Sequence, residues 1–146
     1  SQKYMNYTKS PEYGDLQVVL NEFRNTNTNV LFVIPPVNAK WEKYTGLDMQ
    51  MYYRTVDKIK FQLHEQGFNN VLDLSHDGGK QSFMEDTIHI GWAGWVKFDK
   101  VSNAFISHRQ PAPHYHLNDK FLQPDWTNLN PTPANLTSFK EQQLNR

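Results

Sequence analysis

The sequence has no cysteine. Disulfides and thiolate metal sites are therefore excluded, while the compartment stays open. It has no excess of either charge: 15 Lys and Arg meet 15 Asp and Glu. No dense Lys/Arg cluster stands out, so bulk charge steers it to neither nucleic acid nor an anionic membrane. It has no apolar run near 18 residues, which excludes a membrane-crossing helix in this stretch. No secretory leader is read at its start. The first residue is Ser1 rather than Met, which reads as a processed or truncated product that has lost an anchor or an upstream domain. There is no internal repeat and no G-x-S-x-G nucleophile elbow.

What is present is enough chain, 146 residues, for one domain with a core. Aromatics make up 14% of it. Asn and Gln are frequent as well, which suits a wet, aromatic-lined surface as much as an interior.

Hydrophobic spacing divides the chain. "SPEYGDLQVVLNEF" reads as a helix, with Ser10 as N-cap and Pro11 in the first position. Leu16, Val19, Leu20 and Phe23 are its predicted inner stripe. "VLFVI" (Val30 to Ile34) is a continuous apolar run, the pattern of a strand covered on both faces. Pro35 and Pro36 stop it. A long helix follows, about Leu47 to Gln66, with Tyr52, Val56, Ile59 and Leu63 on one face and Gly67 closing it. "NVLDL" is the second strand. Strand, helix, strand predicts a βαβ unit with parallel strands. A third helix is predicted from about Ile90 to Ser107. Its inner face holds Gly91, Gly94, Phe98, Val101 and Phe105, and the glycines predict close approach to the sheet. From His108 onward the chain is rich in Pro, Asn and Gln, which predicts an extended arm with scattered aromatic anchors.

The fold class is therefore α/β, a partial doubly wound, flavodoxin-like sheet with one βαβ unit and an extended C-terminal arm. Residues 1–107 form part of the α/β domain, and 108–146 pack on that same domain as the arm. Two parallel strands are too few for such a sheet. Either strands are missed or the rest of the sheet lies on other chain; the second is preferred.

"MEDTIHIGWAGW" (Met84 to Trp95) carries the chemistry. Asp86 and His89 are three apart, which in a helical turn places them on one side. A serine is a weak nucleophile until an imidazole takes its proton and a carboxylate orients that ring. Asp86 and His89 suit those two roles. A helix start near His89 would disfavour the imidazolium. The plain alternative for Asp86 is an ordinary N-cap. The motif follows the last strand of the α/β unit, where ligand sites of such sheets lie. No convincing nucleophile accompanies it: Ser75 and Ser82 sit in the loop before it, and neither is on a strand-to-helix turn.

In order, "VLFVIPPVNAKW", "NVLDLSHDGG", "MEDTIHIGWAGW" and "PAPHYHL" resemble the C-terminal half of the DltD family, which serves D-alanylation of lipoteichoic acid in Gram-positive bacteria. The resemblance covers nearly the whole chain, and its most specific part is the Asp-x-x-His block followed by Gly-Trp-x-Gly-Trp. It implies an SGNH-hydrolase-like fold with a membrane anchor and a serine from an early strand-to-helix turn, both upstream of Ser1. His89 would be the base and Asp86 its orienting acid. The implied reaction passes a D-alanyl group from an ester or thioester, through an acyl-serine, to a glycerol-phosphate hydroxyl or to water. This chain alone would be inactive. The implied partners are the D-alanyl carrier protein or lipoteichoic acid, and the membrane through the anchor, with no nucleic acid and no cofactor. The implied place is the cell membrane, with the catalytic domain on the extracytoplasmic face. Asn38 is a candidate oxyanion donor, against the plain reading of a turn former. Trp41 is a candidate groove wall.

Other residues enter as rivals. Asp73 with His76 and Asp77 is a second acid–base set, ranked below because turn chemistry explains it and no helix orients the ring. His114 and His116 lack a third ligand at zinc-type spacing, so no metal is expected. Trp92 and Trp95 are expected to pack under the C-terminal arm, the commoner use of such aromatics; a groove wall or a headgroup-facing surface is the alternative. Arg109 stands near the presumed mouth and either meets an acceptor phosphate or is solvated. The rival function of a different class is a non-catalytic docking module for the carrier protein or the polymer. The third option is an unrelated α/β domain.

Overall fold

A computed structural model describes residues 6–145, with the side chains of Glu42 and Lys43 left aside. The chain divides into two compact units. The first holds Val30–Met49 and Asn70–Pro111. The second holds Asn6–Asn29, Gln50–Asn69 and the stretch from Ala112 to the end of the described residues.

The first unit contains the sheet. Strand β1 (Phe32–Ile34) pairs in parallel with β2 (Val71–Asp73), in the register Phe32 to Val71, Val33 to Leu72 and Ile34 to Asp73. Two parallel strands agree with the mixed α/β expectation. Phe32 N–H to the Asn70 carbonyl (2.9 Å) and Leu74 N–H to the Ile34 carbonyl (3.0 Å) extend the ladder at each end. The strands are shorter than their apolar runs. Ile34 and Leu74 are buried, while Phe32, Val33 and all of β2 are only half-buried. A short 3-10 turn (Ala39–Trp41) and the one-turn helix α2 (Glu42–Thr45) follow β1. Helix α4 (Trp92–His108) closes this unit.

The predicted inner face of α4 is its more buried one: Gly94 is buried, and Gly91, Phe98, Val101 and Phe105 are half-buried. The glycines serve a different neighbour from the one expected. A Cβ on Gly91 would lie 2.6 Å from the Ser82 carbonyl oxygen. A Cβ on Gly94 would overlap Ile90 and lie 3.1 Å from the Phe83 carbonyl oxygen. The helix start presses on the loop before it, not on the strands.

The second unit contains α1 (Glu12–Asn25), most of α3 (Met49–His64), a 3-10 turn (Asp119–Leu122), α5 (Pro124–Thr127), α6 (Pro133–Phe139) and a terminal π-turn (Lys140–Leu144). Helix α1 starts one residue later than expected, with Pro11 at the N-cap, and the Ser10 hydroxyl before it accepts the Glu12 N–H at 3.2 Å. The inner stripe of α1 is rotated from the predicted one: Tyr13, Gln17 and Leu20 are buried, and Val19 is 47% exposed. On α3, Val56 and Leu63 are buried as predicted, and Gly67 follows at φ +91°, where a Cβ is disfavoured. Tyr13, Phe121, Trp126 and Phe139 form the core, with Phe61 stacked on Trp126 at 5.4 Å.

The C-terminal stretch is thus more helical than an extended arm, although Tyr115, Phe121, Trp126 and Phe139 are the buried anchors predicted of it. Pro124 and Pro133 each start a short helix, the place where proline's missing N–H costs nothing. No helix among the described residues is long and apolar enough to cross a membrane.

Candidate active site

Both strands of the first unit end in loops that carry the candidate residues. Pro35 and Pro36 end β1 and lead to Val37 and Asn38. Ser75 to Gly79 follow β2. The two loops touch tightly: a Cβ on Gly78 would overlap the Val37 carbonyl, and Ala39 N–H donates to the Gly78 carbonyl at 3.4 Å. Glycine at 78 is required by that approach.

Asp86 and His89 lie in a small hairpin-like loop, not in the helical turn their spacing suggested. Met84 and Ile90 form an antiparallel bridge, and Glu85 N–H donates to the His89 carbonyl at 2.9 Å. Helix α4 begins only at Trp92, with Gly91 as its N-cap. The loop nonetheless brings the pair together. His89 Nδ1 is 2.5 Å from Asp86 Oδ2. Asp86 Oδ1 accepts the backbone N–H groups of Ile88 (2.9 Å) and His89 (2.8 Å). Asp86 therefore does cap a turn, and orients the imidazole with its other oxygen. The His89 side chain is 69% exposed, and no described residue bonds its Nε2.

The electrostatics follow from that contact. The hydrogen bond from the His89 side chain, then the two backbone N–H groups, hold the Asp86 carboxyl down to about 2. The same carboxylate raises His89 above its ordinary value. The helix dipole expected to favour the neutral ring is outweighed, because α4 starts three residues later while Asp86 is in direct contact.

Asn38 is brought to the same loop. Its Nδ2 donates to the Asp86 carbonyl at 2.9 Å, and its backbone N–H to the Thr87 carbonyl at 3.1 Å. Its Oδ1 accepts Lys40 N–H at 3.0 Å. Trp41 is 38% exposed and packs edge-on against Tyr44, at 6.0 Å between rings.

Of the rival set, Asp77 is paired with two lysines, Lys80 and Lys97. Burial pushes the Asp77 carboxyl up, but hydrogen bonds from Lys80 and from Lys97 (2.8 Å) outweigh it and hold the group low. Asp73 Oδ1 accepts Ser75 N–H at 2.9 Å, the turn chemistry expected of it. Ser75 is 1% exposed with its hydroxyl unpaired among the described residues, so it is no accessible nucleophile. Trp92 and Trp95 are 71% and 56% exposed. Once the Gly91, Gly94 and Phe98 face is turned inward, helical geometry leaves both indoles outside. Arg109 ends α4 in a left-handed conformation, φ 43°, and is exposed. The rings of His114 and His116 are 5.7 Å apart. Among the described residues, no three His, Cys, Asp or Glu side chains converge as a metal site.

The model of the DltD protein family matches residues 1–107. The chain belongs to the DltD family. Protein DltD of Lacticaseibacillus rhamnosus is 57% identical over 127 residues, which is 86% of this chain and 30% of that protein. Protein DltD of Bacillus subtilis (strain 168) is 42% identical over 106 residues, 70% of this chain and 26% of that one. Protein DltD of Staphylococcus aureus is 29% identical over 91 residues, 62% and 23% respectively. The chain thus spans less than a third of the length of these curated relatives. Asn38, Trp41, Asp86 and His89 all lie inside the stretch matched to DltD; Arg109, His114 and His116 lie outside it.

Sequence reasoning missed Lys58. It is fully buried on α3, and its ammonium donates to the carbonyls of Thr8 (2.7 Å), Leu129 (3.0 Å) and Thr127 (3.2 Å). Lys58, Gln62 and Gln66 form a polar stripe at spacing four, which reads as a solvated face. All three are at 0% exposure.

Proposed function

We propose that this chain supplies the acid and base of a Ser-His-Asp site acting on D-alanyl esters or thioesters during D-alanylation of lipoteichoic acid. The observation that carries the reading is the 2.5 Å contact between Asp86 Oδ2 and His89 Nδ1, with Nε2 left to the exposed side. Membership of a family whose relatives extend well beyond the matched stretch supports a serine contributed by other polypeptide. On this reading residues 1–107 are the C-terminal part of an SGNH-like domain and 108–146 pack on that domain. The whole protein is held at the membrane by an upstream anchor, with the site on the extracytoplasmic face.

The chemistry follows from the geometry. His89 Nε2 takes the proton of the serine hydroxyl as its oxygen bonds to the D-alanyl carbonyl carbon. Asp86 holds the ring through Nδ1–H and stabilises the imidazolium that forms. Collapse breaks the bond to the leaving thiol or alcohol, which receives the proton from Nε2. The acyl-serine then passes D-alanine to a glycerol-phosphate hydroxyl or to water, with His89 again as base.

A docking module for the carrier protein or the polymer is the second reading. Exposed Trp92 and Trp95 favour it. One experiment separates the two. Full-length wild-type, His89→Ala and Trp92→Ala proteins are compared for D-alanine release from a D-alanyl thioester and for D-alanyl ester content of lipoteichoic acid in cells. The enzymatic reading expects His89→Ala to lose both and Trp92→Ala to keep the release. Full release by His89→Ala would sink it, as would His89-dependent ester hydrolysis by the 146-residue chain alone.

A further inference from the structure

The loop holding Asp86 and His89 is fixed by two sets of bonds. The inner set comes from the loop itself: the two N–H groups on Asp86 Oδ1 and the imidazole on Oδ2. The outer set comes from one residue 48 positions earlier. Asn38 Nδ2 holds the Asp86 carbonyl, and Asn38 N–H holds the Thr87 carbonyl. These are consecutive peptide groups inside the turn whose dihedrals decide whether the carboxylate meets the ring. Asn38 is itself anchored. Its Oδ1 accepts Lys40 N–H, its carbonyl accepts Trp41 N–H at 2.9 Å, and its neighbours Val37 and Ala39 press on Gly78 in the loop after β2.

We infer that Asn38 is a positioning residue: it sets the Asp86–His89 pair against the C-terminal edge of the parallel strands. An oxyanion donor needs a side-chain N–H aimed at open space where charge develops. One of the two amide hydrogens of Asn38 goes to the Asp86 carbonyl and its Oδ1 accepts Lys40 N–H, so the amide is oriented by the loop it holds. Aspartate keeps only the acceptor, and serine is too short to span from its own turn to another loop. The inference rests on the proposed function, since a pair needs positioning only if it acts.

The test uses the full-length protein and p-nitrophenyl acetate as ester probe, with Asn38→Ala, Asn38→Ser and His89→Ala. Asn38→Ala is expected to lower kcat about 100-fold, the scale of a misplacement near 1 Å, with KM held within about twofold. The acid limb of the kcat/KM profile should also move to lower pH, because a loosened turn weakens the carboxylate's hold on the ring. Asn38→Ser keeps an acceptor for Lys40 N–H, so it preserves the local turn and should still show the loss. If Asn38→Ala does not fold, Asn38→Ser decides alone. Full activity in His89→Ala would overturn the functional reading and this inference with it. Loss in His89→Ala but wild-type rates in the Asn38 variants would overturn positioning alone. Loss with an unmoved acid limb would make Asn38 a direct donor and overturn it likewise.

Discussion

The two compact units of this chain are finished to different degrees. The second unit is closed. Leu20, Leu63, Phe121 and Trp126 are at 0% exposure, and the buried polar groups among them are paired: Gln17 with Gln66 at 2.7 Å, Gln62 with the Trp126 indole at 2.9 Å. The first unit is open. Its two strands are half-buried, and it leaves Tyr44, Ile88, Trp92, Trp95, Val96 and Ile106 between 56% and 81% exposed. A buried hydroxyl, Ser75 Oγ, has no partner there among the described residues. A satisfied interior is what stability requires, and unpaired buried groups and outward aromatics are what a site for something else requires. The candidate acid and base are both in the open unit.

Changes at the site should therefore cost function without stability, and changes in the closed core the reverse. The largest effect is expected at His89. In the full-length protein, His89→Ala should lower ester or thioester turnover by about 10⁶-fold, as loss of a triad base does. It should leave chemical unfolding unchanged, because the ring is 69% exposed and bonds only its own loop. An unfolding midpoint shifted by more than the noise would show that the pair holds structure instead.

The mirror case is Trp126→Ala in the closed unit. The indole is fully buried among Phe61, Phe121 and Phe139, with its N–H on Gln62. Truncation should destabilise by about 3–5 kcal/mol. A denaturant midpoint close to wild type would mean that this core is less closed than its packing implies.

Lys58 gives a smaller effect with a pH signature. Lys58→Met leaves the Thr8 and Leu129 carbonyls without their donor; Thr127 keeps the Ser10 N–H at 3.1 Å. The expected cost is roughly 2–4 kcal/mol. Burial, with Lys9 in support, pushes the ammonium down to about 7 from its ordinary 10.5. Between those values the unfolded chain binds the proton and the folded chain does not, so stability should rise with pH across that interval. Urea unfolding at several pH values should show the rise in wild type and lose it in Lys58→Met.

These contrasts also explain what could be read in advance. The strands were legible because a parallel strand is a continuous apolar run, and Pro35 with Pro36 punctuates one of them. The pairing of Asp86 with His89 was legible from spacing, but its cause was not: a five-residue loop closed by Met84 and Ile90 mimics the convergence of a helical turn. The bond from Asn38 to Asp86 spans 48 residues and leaves no local trace. Lys58, Gln62 and Gln66 were illegible for another reason. A polar stripe beside an apolar one looks solvated unless the acceptors that bury it are known, and here those are carbonyls of Thr8, Tyr13 and Leu129. The short helices after residue 118 did have a signal. Thr132 before Pro133 is a cap followed by a first-position proline, and its hydroxyl accepts Asn135 N–H at 3.2 Å.

The smallest effect is the titration of the site pair, and it tests the open unit most directly. Asp86 is held below its ordinary 3.8, so its contribution is present above that value and lost as pH falls through about 2. His89 is raised above its ordinary 6.5, so its contribution is present below 6.5 and lost as pH rises through the folded value. The pair's full contribution to stability is therefore present between the two ordinary values, from about 4 to about 6.5. Both groups face water, so thermal stability should scarcely register it. The His89 ring resonances should, titrating above 6.5 in the wild type. Asp86→Asn removes the charge that raises the ring, and the midpoint should fall back toward 6.5. Activity needs the free base, so the acid limb of turnover should move with it. A ring midpoint unmoved by Asp86→Asn would separate carboxylate and imidazole, and leave the open unit with an exposed histidine in place of a base.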